Sequence, residues 1–250
     1  PPTIAVFINP GHDKSKPMFL YFASLAPHAP YQAPKTDIEA YREVFPDETQ
    51  RKYAGMITNL DRQVGRVVSA LEKKGMRENT IVFFTTDNGG ATSALFATGA
   101  RSPEERDESG GVALGTKPPA SNNPFSGGKG SLKEGGVRLP AIVNWPGKIK
   151  PAVVNEPLHH VDLMPTLLAL AGGLGDKSKP FDGKDAWGTI AQGKSSPHED
   201  ILINVEAFRG AIRKGKWKLI KVAIMPEKIE LFDLEKDPSE KENVANQNPD

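Results

Sequence analysis

The sequence predicts an α/β protein with a mixed, largely parallel central sheet flanked by helices, followed by a small antiparallel subdomain. Two continuous apolar runs, Met18–Leu25 and Ile81–Phe84, are rich in the aromatic and β-branched residues of covered parallel strands. Between them Tyr53, Ile57, Leu60, Val64, Val67, Val68 and Leu71 recur at spacings of three and four, which marks one face of a long helix. Beyond residue 195 the pattern changes to short, closely spaced strand-like segments joined by turns. These features divide the chain into a core of residues 1–195 and an antiparallel subdomain of residues 196–250.

Residues 1–17 contain a short apolar run, Ile4–Ile8, and an Asn9-Pro10-Gly11 turn, and they indicate no function. Met18–Leu25 reads as a buried strand that runs into Ala26-Pro27-His28-Ala29-Pro30. Prolines on either side hold the backbone extended and present the His28 imidazole from a stiff segment. The plain alternative is a surface histidine in a Pro-rich turn. The long helix is expected over Asp47–Met76, with Asp47 as N-cap and Gly75 as the stop. Strand, helix and strand then form a right-handed crossover that makes Met18–Leu25 and Ile81–Phe84 parallel, with both carboxyl ends at one edge of the sheet. Ligands of open α/β sheets bind outside such ends.

The second strand ends in Asp87-Asn88-Gly89-Gly90. A carboxylate beside an amide oxygen suits a hard cation such as calcium or magnesium, and the glycines permit the bend that lets both reach one ion. An ordinary turn uses the same residues. Residues 91–126 lack periodicity and read as a long loop on the rim of a pocket. In Ser126–Arg138, glycines flank Lys129, so backbone can approach a ligand while the ammonium attracts an anion. A solvated glycine hairpin is the alternative. The order of a P-loop is absent.

Leu139–Trp145 reads as a further core strand. Asp162 is expected to cap a helix over Leu163–Ala171, with Pro165 in the first turn and Gly172-Gly173 as the stop. That capping role favours a structural reading of His159, His160 and Asp162 over a metal site. Residues 172–200 read as a linker. Ala207–Arg213, Lys216–Val222 and Ile229–Leu234 are expected as three short strands whose basic residues form a solvated face.

Composition narrows the function classes. The 250 residues hold 32 basic and 31 acidic side chains, a net charge of +1, which excludes a polyanion-binding surface for nucleic acid and makes any anion site local. There is no cysteine, hence no disulfide, thiolate metal site or cysteine nucleophile. No apolar run approaches the ~20 residues of a membrane span, no signal-peptide pattern opens the chain, and the chain is expected to be soluble. The start at Pro1-Pro2-Thr3, without Met, leads us to expect that upstream residues have been removed.

The stretches Pro17–Pro34, Thr85–Gly90, Asn122–Pro140, Val161–Gly172 and Leu231–Asn243, in this order and spacing, resemble the sulfatase family of the alkaline-phosphatase-like superfamily. The resemblance implies an incomplete alkaline-phosphatase-like α/β core. It implies that Asp87 and Asn88 are metal ligands for calcium, or magnesium, and that Lys129 contacts the sulfate. His28 is implied to hydrogen-bond the ester and protonate the leaving oxygen, so that His28 and Lys129 are both catalytic and substrate-binding. Glu134 and Arg138 are implied to be structural.

In the family an N-terminal segment adds an Asp-Asp pair to the metal site, and a Cys/Ser-x-Pro-x-Arg motif whose first residue becomes formylglycine, the nucleophile. These 250 residues contain no cysteine and no Ser-x-Pro-x-Arg. The expectation is therefore a sulfuric ester hydrolase whose formylglycine comes from an N-terminal part, with this chain inactive alone. The expected substrate is a sulfate-ester small molecule or sulfated glycan, the expected partner is that N-terminal part, and the expected location is periplasmic or extracellular. Two alternatives stand beside it. One is a phosphatase or phosphodiesterase of the same superfamily, although two-metal members commonly place histidine where Asn88 stands. The other is a non-catalytic pseudoenzyme or binding module.

Overall fold

A computed structural model describes residues 3–9, 18–92, 118–173, 180–203, 207–223 and 227–248. The chain packs as two units, one of residues 1–142 with 236–242, the other of residues 143–235 with 243–250. The described residues from Trp145 to Ser195, which the sequence groups with the core, fall in the same unit as the C-terminal sheet.

In the first unit, strands β1 (Thr3–Asn9), β2 (Met18–Ser24) and β3 (Ile81–Thr86) belong to a sheet of order β2-β1-β3-β4, completed by β4 (Ala141–Asn144). The strands β2 and β3 do share a direction, as the crossover required. They are not neighbours, because β1 lies between them and is antiparallel to both. The largely parallel sheet expected from the sequence is corrected accordingly. The physical reason is local: β1 and β2 are separated by eight residues, short enough for an antiparallel hairpin, whereas parallel pairing of β2 with β3 needs a crossover of some fifty residues.

The long helix α2 (Glu48–Lys73) forms as expected. The Asp47 carboxylate accepts from Gln50 N at 2.8 Å at its start, and Gly75, at φ +63°, follows its end. Its apolar stripe has two uses. Val67, Val68 and Leu71 pack against Leu20, Phe22, Val82 and Phe84 of the sheet. About three turns further toward the N-terminus, Tyr53 and Met56 pack against Tyr31 and the alanines around His28. The short helix α1 (Lys35–Glu39) is locked to α2 by an ion pair in which Arg62 donates to both oxygens of buried Asp37, at 2.7 and 3.0 Å.

Strand β3 is buried as expected. Two other strands are less covered than the sequence suggested. Phe19 and Tyr21 of β2 are 63 and 53 % exposed while Leu20 and Phe22 face α2, so this sheet-edge strand is covered on one side only. The strand expected over Leu139–Trp145 shrinks to Ala141–Asn144 and is mostly exposed. The short helix α3 (Glu134–Val137) lies just upstream of it.

In the second unit, α4 (Leu163–Leu170) ends before Gly172, at φ +78°. The presumed linker contains a helix, α5 (Trp187–Gln192). Four strands rather than three build the C-terminal sheet: β5 (Asp200–Ile203), β6 (Arg209–Lys214), β7 (Trp217–Val222) and β8 (Lys228–Asp233), an antiparallel meander. None of them joins the first sheet.

Two outcomes test this packing. Leu71→Ala, which empties the centre of the helix–sheet cluster, should cost about 2–5 kcal/mol in chemical denaturation. The Arg62 hydrogen bonds hold the Asp37 carboxyl below the usual carboxylate range, outweighing the burial that pushes it up. A depressed carboxyl stabilises the fold above its unfolded value and loses that contribution as pH falls through the folded value. Thermal melts of wild type and Arg62→Met should therefore differ near neutral pH, and the gap should begin to shrink near pH ~4 and close only below the depressed folded value. A gap that persists undiminished into strong acid would refute this role for the pair.

Candidate active site

The antiparallel β1 aligns the two strand ends. Thr3 stands opposite Ser24 of β2 and opposite Thr86 of β3, so both strands finish level, one strand apart, roughly 10 Å from each other. The chain leaving β2 turns at once, with His28 N donating to Leu25 O at 2.7 Å. Ala26, Ala29 and Ala33 then rest on Tyr31 and Met56, so the helix α2 supports the segment from below.

His28 is half-buried, and its Nδ1 lies 2.6 Å from Ala29 O. A carbonyl only accepts, so Nδ1 carries the proton and the neutral ring presents a lone pair at Nε2. Lys129 Nζ donates to that Nε2 at 3.1 Å. Two residues 101 positions apart are thereby brought together in one cleft. Pro27, Ala29, Tyr31, Tyr53, Ala91 and Ala120 line the rest of it.

Lys129 reaches this position through backbone contact between two glycine-bearing segments. Lys129 N donates to Gly90 O at 3.1 Å, and Gly89 N donates to Gly136 O at 3.0 Å. Asn122 clasps the same strand end, accepting from Gly90 N at 2.8 Å and donating to Gly90 O at 2.9 Å. The approach is too close for side chains: a Cβ on Gly89 would lie 1.7 Å from Gly135 O, and one on Gly128 would lie 2.5 Å from Gly90 O. Gly128 is buried, so the Lys129 loop is not a solvated hairpin.

Asp87 and Asn88 occupy the turn just before this contact. Asp87 Oδ1 accepts from Asn88 N at 2.8 Å, and Asn88 Nδ2 donates to Gly89 O at 2.8 Å. Asp87 Oδ2 and Asn88 Oδ1 have no hydrogen-bond partner among the described residues. These are hard oxygen donors of the kind calcium and magnesium take, which fits such an ion in chemistry. They fall short in number, since calcium takes six to eight oxygens, and no group of three or more acidic or histidine side chains gathers among the described residues. No hydrogen bond or ion pair among the described residues joins Asp87 or Asn88 to His28 or Lys129. Their connection is through the backbone, by way of Gly90. For formylglycine these residues offer no fit, because no precursor motif is present.

Several residues of the cleft were not singled out from the sequence. Tyr31 and Tyr53 meet edge to face, with ring centroids 5.8 Å apart. Burial, with a contribution from Tyr53, pushes the Tyr31 phenol up to about 12, so it keeps its proton at neutral pH and is no phenolate nucleophile. From the sequence Tyr53 reads only as part of the helix stripe, and nothing local distinguishes Asn122, the clasp on Gly90, from other loop asparagines.

The His159, His160 and Asp162 group in the second unit is structural, although not by the expected route. Asp162 stands at the N-cap position of α4 without making a side-chain cap. Its buried carboxylate instead accepts from His159 N, Lys184 N and His198 Nε2 at 2.8, 2.9 and 2.8 Å. Hydrogen bonds to both oxygens leave it poorly placed to ligate a metal.

The chain is similar to known proteins. The sulfatase family model matches residues 3–174, and a model described as N-sulphoglucosamine sulphohydrolase, C-terminal, matches residues 128–249. Mouse (Mus musculus) arylsulfatase J is 37% identical over 207 residues, covering 82% of this chain and 30% of that protein. Rat (Rattus norvegicus) N-acetylgalactosamine-6-sulfatase is 36% identical over 188 residues, covering 75% of this chain and 31% of that protein. The chain thus spans less than a third of the length of these relatives. The solved structure of Ps i-CgsB, known alone and in complex with k-i-k-neocarrahexaose, superposes with a TM-score of 0.71 at 31% identity, covering 90% of this chain and 45% of that one. With a family model matched across more than half its length, this chain belongs to the sulfatase family.

Proposed function

We propose that the chain forms the anion-binding and proton-donating half of a sulfuric ester hydrolase acting on a sulfated sugar or a similar sulfate ester. The observation that carries this reading is the Lys129 Nζ to His28 Nε2 contact at the level strand ends. Without an anion, the ammonium donates to the imidazole. When a sulfate ester enters the cleft, Lys129 turns its protons to a sulfate oxygen, and the freed Nε2 takes up a proton from water, forming an imidazolium that passes this proton to the leaving ester oxygen and returns to the neutral ring. Ala29 O keeps the ring oriented throughout, because it holds the Nδ1 proton. The two tyrosines supply an apolar wall that limits water around the developing charge.

Calcium, or magnesium, would be held by Asp87 Oδ2 and Asn88 Oδ1 and would supply positive charge to anionic oxygens, while formylglycine from polypeptide outside these residues would supply the nucleophile. The names of two relatives, an N-acetylgalactosamine-6-sulfatase and a protein complexed with neocarrahexaose, support a sugar as the leaving group. We place the reaction in the periplasm or outside the cell on resemblance to the family alone. No helix among the described residues is long and apolar enough to cross a membrane. Asn88 in the place of a histidine favours a one-metal sulfatase over a two-metal phosphatase. The lack of any nucleophile motif in these residues favours, as a second reading, a binding module.

Titration with inorganic sulfate in the presence of calcium tests the anion site. The chain should bind sulfate, and Lys129→Ala should weaken binding by about 10–100-fold, the worth of a charged hydrogen bond, while the fold survives. Equal affinity in wild type and variant would remove Lys129 from the site. A chromogenic aryl sulfate tests the chemistry. The chain alone should give no turnover with calcium, and addition of a sulfatase N-terminal segment carrying formylglycine should restore it. Faster cleavage of the matching phosphate ester would favour the phosphatase, and binding without turnover in the completed protein would favour the binding module.

A further inference from the structure

The loop carrying Lys129 is anchored a second time, by a residue far along the chain. Glu240 is 2 % exposed, and its Oε2 accepts from Glu134 N, the first residue of α3, at 2.5 Å. Its main-chain oxygen accepts from Lys133 Nζ at 3.3 Å. A carboxylate removed from water to this degree is costly unless hydrogen-bonded, and Glu134 N supplies one such bond. Glu240 also has φ +54°, and no other non-glycine residue among those described has a positive φ. Such backbone is unfavourable for a side-chain-bearing residue and persists where its surroundings enforce it. Here Glu240 N donates to Asp237 O, and Asp237 Oδ2 accepts from Lys241 N and Glu242 N at 2.7 and 2.8 Å, closing a compact turn. Residues 236–242 pack with the first unit although their sequence neighbours on both sides pack with the second.

From Glu134 the path to the site is short. Gly135 N donates to Ser126 O at 2.7 Å, and Gly136 O accepts from Gly89 N beside Asn88. On the other side Lys133 N donates to Ser131 Oγ at 3.0 Å, and Ser131 N to Gly128 O at 2.8 Å, next to Lys129. We propose that Glu240 is a positioning residue: by holding Glu134 N it sets the loop so that the Lys129 ammonium faces His28 Nε2. The inference rests on the reading of Lys129 and His28 as the anion site, and its test includes a signal that does not require anion binding.

That signal is the 15N resonance of His28 Nε2 in the intact 250-residue chain, which reports whether the lone pair accepts a hydrogen bond. Lys129→Ala supplies the reference for loss of the donor. In Glu240→Ala the resonance should move toward that reference, and inorganic sulfate should bind about tenfold more weakly. Glu240→Gln, whose amide oxygen can still accept from Glu134 N, should keep the wild-type resonance and bind within about twofold of wild type. Glu240→Asp, which withdraws the acceptor by one methylene, should behave like the alanine variant and provides the measurement should Glu240→Ala fail to fold. Folded Ala or Asp variants with a wild-type resonance and wild-type sulfate affinity would overturn the proposal. Failure of both to fold would overturn it too, since Glu240 would then act on the fold as a whole. A wild-type chain that binds no sulfate, but whose His28 resonance still responds to Glu240→Ala, would sink the proposed function and leave the positioning role standing.

Discussion

Backbone-to-backbone contact between the Asp87–Gly90 turn and the Gly128–Gly136 loop is the constraint on which the candidate site depends. Hydrogen bonds cross it from Gly89 to Gly136 and from Lys129 to Gly90. Such bonds are short-range, so the two segments can make them only where no Cβ intervenes, and a Cβ on Gly89 would overlap Gly135 O outright. The glycines therefore act less as flexible turns than as missing volume. Buried donors and acceptors in this layer find partners across it, which fixes a lysine from one segment beside the Asp87-Asn88 turn of the other.

The same logic of shared support applies to His28. A single helix, α2, packs its C-terminal half on the sheet and its N-terminal half on the segment that carries the imidazole. Sheet and histidine are thus referenced to one rigid body, and the Arg62–Asp37 ion pair ties the chain following His28 to that body as well. Rigid placement matters because the ring has one defined hydrogen bond on its far side, to Ala29 O, and one facing the cleft. With a net charge of +1, the molecule offers no long-range attraction to an anion. Under the proposed function, selectivity for an anion comes from donors placed within hydrogen-bonding distance, and the Lys129 ammonium beside His28 is one such donor.

The second unit repeats the pattern with a different outcome. Asp162 gathers three donors from His159, Lys184 and His198, residues up to 36 positions away from it, onto one buried carboxylate. Both of its oxygens are committed to the protein. Asp87, by contrast, leaves an oxygen uncommitted among the described residues. The distinction between a structural and a candidate ligand carboxylate lies in this accounting of hydrogen bonds, and two aspartates that look alike as strings of neighbours differ in it completely.

What the sequence by itself determined are the features set by nearest neighbours along the chain. The stripe from Tyr53 to Leu71, the Asp47 cap and the Gly75 stop specify α2 because helix periodicity and capping act within a few residues. The apolar run Ile81–Phe84 ending at Asp87-Asn88 specifies a buried strand with polar oxygens at its carboxyl end. His28 and Lys129 were legible as chemistry on stiff or glycine-flanked segments. Tertiary structure alone decided the rest: that β1 separates β2 from β3, that the two tyrosines line the cleft while Asn122 clasps Gly90, and that His198 and Glu240 anchor distant carboxylate and loop. Each of these depends on contacts between residues tens to a hundred positions apart, whose energies arise only once the chain has closed the loops between them, and no local pattern of residue types encodes that closure.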